Sequence, residues 1–267
     1  MNRFEGRRAL ITGAGSGIGQ ATARRILQEG GTVVAADVAE AGLAATRELA
    51  AADGTAGRLI TKALDISDEG SVTSVVAEAI GELGGLDALV NAAGILRSAH
   101  TEQTTLEFWN RVLAVNLTGT FLVTREALPA LLATGRGAVV NFSSTSATFA
   151  HPYMAAYAAS KGGIQSFTHA IALEYAKQGL RAVCVAPGSI SSGMTDASGA
   201  SGQNRGPGIP EDADMSLFAK LSPALQAGNA YGFAGPETVA AVVAMLASDD
   251  GAFVTGTEIR IDGGTHA

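Results

Sequence analysis

Tyr157 and Lys161 stand four residues apart in Tyr157-Ala158-Ala159-Ser160-Lys161, and three serines, Ser143, Ser144 and Ser146, lie upstream. A phenol titrates at about 10 and is a poor base at neutral pH. A lysine ammonium one helical turn away shares its face of the helix and favours the phenolate. A serine hydroxyl can then hydrogen-bond a substrate oxygen and hold it beside the phenol. Only Tyr157 among the tyrosines has lysine at the fourth following position; the same step from Tyr153, Tyr175 and Tyr231 reaches Tyr157, Gly179 and Gly235. The spacing suits proton transfer at an alcohol oxygen. It equally suits an ordinary ion on a helix surface, so the surrounding elements must decide.

The first such element is amino-terminal. Arg8-Ala9-Leu10-Ile11-Thr12 is a short apolar run ending at Thr12-Gly13-Ala14-Gly15-Ser16-Gly17-Ile18-Gly19, and Ala21, Ala23, Ile26 and Leu27 then trace a helical apolar face up to Gly30-Gly31. This reads as strand, glycine turn and helix. Glycines allow a tight turn, let a pyrophosphate approach the backbone, and leave helix N-terminal N–H groups facing the anion. The pattern G-x-G-x-x-G is not met, because its last glycine would fall on Ile18 or Gln20; the spacing is Thr-Gly-x-x-x-Gly-x-Gly. A second strand, Thr32 to Ala36, ends on Asp37. An acid about twenty residues past the turn can accept hydrogen bonds from the adenosine ribose hydroxyls of NAD. It would repel the 2′-phosphate of NADP, and no Lys or Arg at Ser16, Val38 or Ala39 offsets it.

Together these residues resemble the short-chain dehydrogenase/reductase family, in its compact branch, over essentially the whole chain. Thr12 to Gly19, including Gly13, Ser16, Gly17, Ile18 and Gly19, matches the family's cofactor motif. Asp65-Ile66 matches the acidic-apolar pair that meets the adenine, and Val38 follows the ribose acid. Asn91-Ala92-Ala93-Gly94 matches Asn-Asn-Ala-Gly with one Asn replaced. Asn116 matches the active-site asparagine, and Ser144, Tyr157 and Lys161 match the catalytic trio; the thirteen-residue spacing selects Ser144 from its neighbours. Pro187-Gly188-Ser189-Ile190 matches the segment at the nicotinamide end, with Ser192 where the family has Thr, and Ile261-Asp262-Gly263-Gly264 matches the carboxy-terminal signature.

The resemblance implies a mechanism. Tyr157 as phenolate takes the hydroxyl proton while hydride leaves the same carbon, and returns the proton in reduction. Lys161 lowers the phenol pKa and holds the nicotinamide ribose, and Ser144 orients the substrate oxygen. Asn116 would hold a relay water for Lys161, or simply cap an interrupted helix turn. A homotetramer is also implied, through helices near 104–133 and 155–177 and the carboxy-terminal strand.

Strand-like runs at 8–12, 32–36, 58–64, 86–90, 138–142, 181–186 and 258–261 alternate with helical stretches. The alternation predicts an α/β fold: a Rossmann-type doubly wound parallel sheet of about seven strands, with helices on both faces. No linker splits the chain, so 1–267 reads as one domain. The catalytic helix is expected from about Ala155 to Lys177, ending at Gly179. A net charge of −7 and a pI near 5.1 argue against nucleic acid or an anionic membrane as partner. No apolar run reaches membrane-spanning length and no signal segment precedes the first strand, which predicts a cytoplasmic protein. Cys184 is the single cysteine, in a strand-like setting that suits a buried inert thiol. His100, His151, His169 and His266 lack metal-ligand spacing, and no metal is expected.

The substrate end is more open. The stretch from Gly193 to about Pro210 is rich in Gly, Ser, Ala and Asp, and Met215 to Leu221 has amphipathic helical spacing, so 193–232 reads as a substrate loop or lid, or a surface insertion. Leu96, Ser146, Phe149, Tyr153 and Met194 are candidate pocket residues, mostly apolar, fitting a hydrophobic secondary alcohol or ketone. Arg97 could meet a substrate carboxylate or face solvent, and Trp109 could be core or interface. Three functions remain in view: an NAD-dependent alcohol dehydrogenase or ketone reductase, a 3-oxoacyl-carrier-protein reductase using NADPH, and a non-catalytic NAD sensor. Asp37 counts against the second, and retention of serine and phenol together counts against the third.

Overall fold

The computed structural model describes residues 2–192, 194–195, 208–218, 221–225 and 232–267. The seven expected runs become strands β1 (Arg8–Thr12), β2 (Thr32–Asp37), β3 (Leu59–Ala63), β4 (Ala88–Asn91), β5 (Ala138–Phe142), β6 (Arg181–Pro187) and β7 (Glu258–Ile261). They form one sheet in the order β3-β2-β1-β4-β5-β6-β7, and every pairing is parallel. Between them run helices α1 (Gly17–Gln28), α2 (Glu40–Ala52), α3 (Glu69–Leu83), α4 (Leu106–Leu113), α5 (Gly119–Ala133), α6 (Ala155–Tyr175) and α7 (Pro236–Ala247). The doubly wound Rossmann-type fold follows.

Alternation along the strands supplies two cores, because successive strand residues point to opposite faces. Ala9, Ile11, Val33 and Ala35 pack with Ile26 and Leu27 of α1 and Val239 and Val243 of α7. Leu10, Val34 and Ala36 pack on the other face with Val72 and Val76 of α3, Leu131 of α5 and Ile171 of α6. Each fully buried Leu, Ile or Val contributes about 1.5–3 kcal/mol. A sheet covered on both faces thus reads as the near-continuous apolar runs seen in the sequence.

Two helices differ from their sequence reading. The expected helix near 104–133 is broken: α4 and α5 are joined by a π-helical turn at Ala114–Thr118 that carries Asn116. A π turn inserts one extra residue per turn and rotates its side chains off the apolar stripe. Within the Met215–Leu221 segment, Met215–Phe218 forms a short 3-10 turn, and 219–220 lie outside the described residues. Much of the Gly193–Pro210 loop lies outside the described residues. Among the described residues, no helix is long and apolar enough to cross a membrane.

The fold aims its chemistry at one edge. Parallel strands share a direction, so the glycine turn after β1, Asp37 on β2, the Asn91–Gly94 loop after β4, the serines after β5 and the segment after β6 all meet at the carboxyl ends. The chain order reverses between β1 and β4, which opens the crevice there. Helix α6 supplies the catalytic pair and ends through a 3-10 turn at Gly179, whose φ is +83°. A Cβ at Gly179 would collide with the carbonyl oxygen of Gly135, besides the αL penalty of about 1–2 kcal/mol. Gly179→Ala is therefore expected to lower the unfolding free energy by at least about 2 kcal/mol, seen as a lower urea midpoint at unchanged slope.

Candidate active site

Helix α6 carries Tyr157 and Lys161 on its buried face, one turn apart. The Lys161 ammonium lies 5.6 Å from the Tyr157 ring centroid and donates to the Phe142 carbonyl oxygen at 2.8 Å, which anchors it to the end of β5. Strand alternation past Phe142 sorts the three serines. Ser144 lies close enough to the Tyr157 phenol to affect its titration, and its Oγ accepts from the Ser146 amide at 3.2 Å, capping the short 3-10 turn Thr145–Ala147. Ser143 turns the other way and donates to the Lys161 carbonyl at 3.2 Å. Ser146 is buried with its hydroxyl unpartnered.

Burial dominates the electrostatics of both groups. It pushes Tyr157 up to about 12, and Ser144 opposes the rise. Burial likewise lowers Lys161 to about 8. Low dielectric disfavours the charged form of each.

Asn116 is fully buried in the π turn, and its side chain is occupied by the protein. Its Oδ1 accepts from the Ile95 amide at 2.8 Å, and its Nδ2 donates to the Ile95 carbonyl at 2.9 Å and the Ser160 hydroxyl at 3.0 Å. It thereby pins the loop after β4 to the catalytic helix. A Cβ at Gly94 would sit 3.1 Å from Asn116 Oδ1 and 3.6 Å from Lys161 Nζ, so both polar groups face one point beside this glycine.

At the other half of the crevice the glycine turn fits a dinucleotide phosphate. Ser16 at the N-cap of α1 makes no side-chain cap bond, and no acidic residue lies in the first turn. Gly13 has a φ of +68°, and a Cβ there would stand 2.6 Å from the Ala93 amide, so Ala92 and Ala93 pack directly on the turn. A Cβ on Gly19 would collide with the Gly13 carbonyl oxygen, which places Ile18 and Gly19 tightly beneath the turn. Asp37 accepts from the Gly15 amide at 2.9 Å and the Ala39 amide at 2.8 Å, fixing its carboxylate beside the turn, with Val38 exposed next to it. Asp65 accepts from the Ser67 amide and hydroxyl, and the hydroxyl bond holds its carboxyl below the usual range; Ile66 beside it is buried.

One side chain, that of Asn91, points away from the crevice. Asn91 is buried, its Nδ2 donating to Thr124 at 2.9 Å and Asn141 at 2.8 Å, so its side chain binds β5 and α5 instead of facing the turn. After β6, Gly188 donates to the Ile261 carbonyl at 2.9 Å and leaves no room for a Cβ beside Asp262. Pro187 ends the strand, Ile190 is buried, and Ser192 reaches over Gly17, where the gap to a Cβ would be 3.6 Å.

The substrate candidates divide. Leu96 and Tyr157 share an apolar cluster with Val112, Met154 and Ala156, against which Met194, Trp109 and Phe218 pack. Tyr153 stacks on Phe218 at 6.1 Å. Phe149 is drawn elsewhere: His266 stacks on it at 4.1 Å, and the Arg260 guanidinium lies 5.1 Å from its centroid. Arg97 donates to the Leu96 carbonyl. Cys184 is buried and its thiol pushed up to about 11 by burial, an inert thiol. Sequence reasoning missed Thr195, whose hydroxyl accepts from the Ser192 amide at 3.2 Å and braces the segment after β6; a hydroxyl three residues after Ser192 is the turn signal that was available. It also missed the His100–Asp212 contact and the stacking of His266 on Phe149, which join residues distant in the chain.

A family model described as short chain dehydrogenase matches residues 7–202. The chain belongs to that family. The 3-oxoacyl-(acyl-carrier-protein) reductase FabG of Thermotoga maritima is 37% identical over 262 residues, covering 98% of each chain. Cyclohexanol dehydrogenase of an Acinetobacter strain is 37% identical over 264 residues, 98% of this chain and 96% of that one. The crystal structure of levodione reductase, 31% identical, has a TM-score of 0.84 with 98% of each chain covered. This short-chain dehydrogenase is accordingly an oxidoreductase acting on CH–OH groups with a nicotinamide cofactor.

The buried ammonium has a measurable cost. Folded Lys161 titrates at about 8, against 10.5 for a free lysine. Below the lower value both states are charged and the folded state bears the full desolvation penalty; above it the native lysine loses its proton first and the penalty is relieved. Lys161→Met should therefore raise the unfolding free energy by about 1–3 kcal/mol near neutral pH while abolishing turnover. That gain should shrink to nothing as pH rises towards 10.5, read by urea unfolding across the range.

Proposed function

We propose that this short-chain dehydrogenase interconverts a hydrophobic, cyclic secondary alcohol and its ketone, using NAD. The observation that carries the reading is the apolar cluster that Tyr157 joins, built of Leu96, Val112, Met154 and Ala156 with Trp109, Met194 and Phe218 packed against it. Such a wall favours a hydrocarbon ring over a phosphorylated sugar. Cyclohexanol dehydrogenase and levodione reductase among the similar proteins support it.

In oxidation the substrate hydroxyl lies between Ser144 Oγ and Tyr157 Oη, and Tyr157 accepts its proton. In reduction Tyr157 returns it. A nicotinamide dinucleotide supplies the hydride acceptor or donor and, when oxidised, a positive charge that adds to Lys161 in favouring the phenolate. Lys161 also offers its ammonium to the nicotinamide ribose. Asn116 holds Ile95 and Ser160 in place, and the second lone pair of its Oδ1 is free for a relay water shared with Lys161. Gly13, Ser16, Gly17, Ile18 and Gly19 receive the pyrophosphate. Asp37 receives the adenosine ribose, Val38, Asp65 and Ile66 flank the adenine, and Ala92 to Gly94 with Pro187, Gly188, Ile190 and Ser192 line the nicotinamide end.

The preference for NAD rests on Asp37. Its two partners are backbone amides, so its charge stays unneutralised by a cation and faces the place of a 2′-phosphate. The likeness to the Thermotoga reductase keeps an acyl reductase as the second reading. Assembly as a homotetramer would cover the exposed apolar side chains of Phe121 on α5, Leu173 on α6 and Phe253 before β7. A cytoplasmic location fits the single reduced cysteine.

Turnover of a panel of cyclic and open-chain secondary alcohols, followed as reduced nicotinamide absorbance with NAD and NADP in parallel, tests the reading. Tyr157→Phe is expected to lower kcat by about 10²–10⁴-fold while NAD affinity is kept; unchanged turnover would sink the acid/base role. Asp37→Ala should move the kcat/KM ratio towards NADP by about tenfold or more, one charge contact to the ribose being worth about 1.5–3 kcal/mol.

A further inference from the structure

Tyr153 is the one non-glycine residue with positive φ among the described residues, at +64°. A bulky side chain in the left-handed region is strained, and Gly or Asn would occupy it at far lower cost. Such strain persists where the surroundings over-determine the residue, and here they do. The Tyr153 carbonyl accepts from the Ala99 amide at 2.8 Å. Its ring meets the His100 edge at 5.1 Å and stacks on Phe218 at 6.1 Å. Its hydroxyl accepts from the Asp214 amide at 2.8 Å. His100 extends the same contact, with Nε2 2.9 Å from an Asp212 carboxylate oxygen.

These contacts join three segments otherwise distant in the chain: the strip 96–100 after β4, the approach to catalytic helix α6, and the stretch 212–218. Phe218 in turn packs on the cluster that contains Tyr157 and Leu96. We propose that Tyr153 is a specificity-determining positioning residue. Its left-handed backbone turns the ring and hydroxyl towards 212–218, and that grip holds Phe218 as the roof of the substrate pocket. The hydrocarbon wall over the substrate is then set by a residue that takes no part in proton transfer. The inference rests on the proposed secondary-alcohol reading for its kinetic consequence, though the grip itself is independent of substrate.

The test compares wild type with Tyr153→Phe, which keeps the ring and removes the acceptor for the Asp214 amide, and with Tyr153→Asn, which tolerates positive φ and removes both. Deuterium uptake of 212–218 is followed in the unliganded protein, and steady-state constants are measured on the alcohol that wild type oxidises best. Loss of one hydrogen bond predicts exchange in 212–218 about three- to tenfold faster in Tyr153→Phe, and faster again in Tyr153→Asn. Alcohol KM should rise by a similar factor, with kcat and the KM for NAD within about twofold. Unchanged exchange in both variants overturns the grip, as does a fall in kcat at constant alcohol KM. If wild type oxidises no alcohol on the panel, the functional reading fails, while the exchange result still decides the role of Tyr153.

Discussion

A buried ammonium beside a buried phenol is the arrangement on which the rest of the site depends. Neither group is charged cheaply in a low-dielectric interior, and their settings show it: burial raises the phenol and lowers the amine. What keeps Lys161 in place is the Phe142 carbonyl at the end of β5, and Ser144 reaches the phenol from two residues further on. The pair therefore needs α6 packed against β5 in one register. Helix, strand end and the serine turn after it form a single mechanical unit.

That register is locked by a polar ladder inside an otherwise apolar sheet. Asn91 on β4 donates to Asn141 on β5, Asn141 donates to Thr168 on α6 at 2.9 Å, and the Cys184 thiol on β6 lies 3.2 Å from the same Thr168 hydroxyl. Asn91, Asn141 and Cys184 are register partners across three neighbouring strands. Buried amides must find partners or cost free energy, so a slip of either strand or of α6 would orphan several at once. A purely hydrophobic interface would tolerate such slips, and the catalytic pair would move with them.

The pocket above is held by weaker devices. The carboxy-terminal tail folds back through the Asp262–His266 contact of 3.1 Å and stacks His266 on Phe149, which buttresses the turn after Ser144. The 212–218 stretch rests on His100 and Tyr153. A rigid floor built by strand ends and a roof built from single hydrogen bonds and ring contacts suit an enzyme that must hold its reacting atoms still while admitting substrate.

Sequence by itself determined the sheet, to within a residue or two at each strand, because buried parallel strands leave unbroken apolar runs between glycine-rich turns. It also singled out Tyr157, Lys161, Asp37 and the glycine turn, whose spacing follows from helix and strand repeats or from a fixed loop. Chemistry alone does not separate Ser143, Ser144 and Ser146: the family-like spacing to Tyr157 picked out Ser144, and tertiary structure gave the physical reason, since the exit of β5 sends Ser143 to the Lys161 carbonyl instead. Tertiary structure alone redirected Asn91 into the core, gave Phe149 to the tail, widened the helix around Asn116 into a π turn, and turned Tyr153 towards 212–218. It also set the burial that raises the phenol. Each of these depends on groups distant in the chain and on how much water they exclude, and neither quantity is written in local spacing.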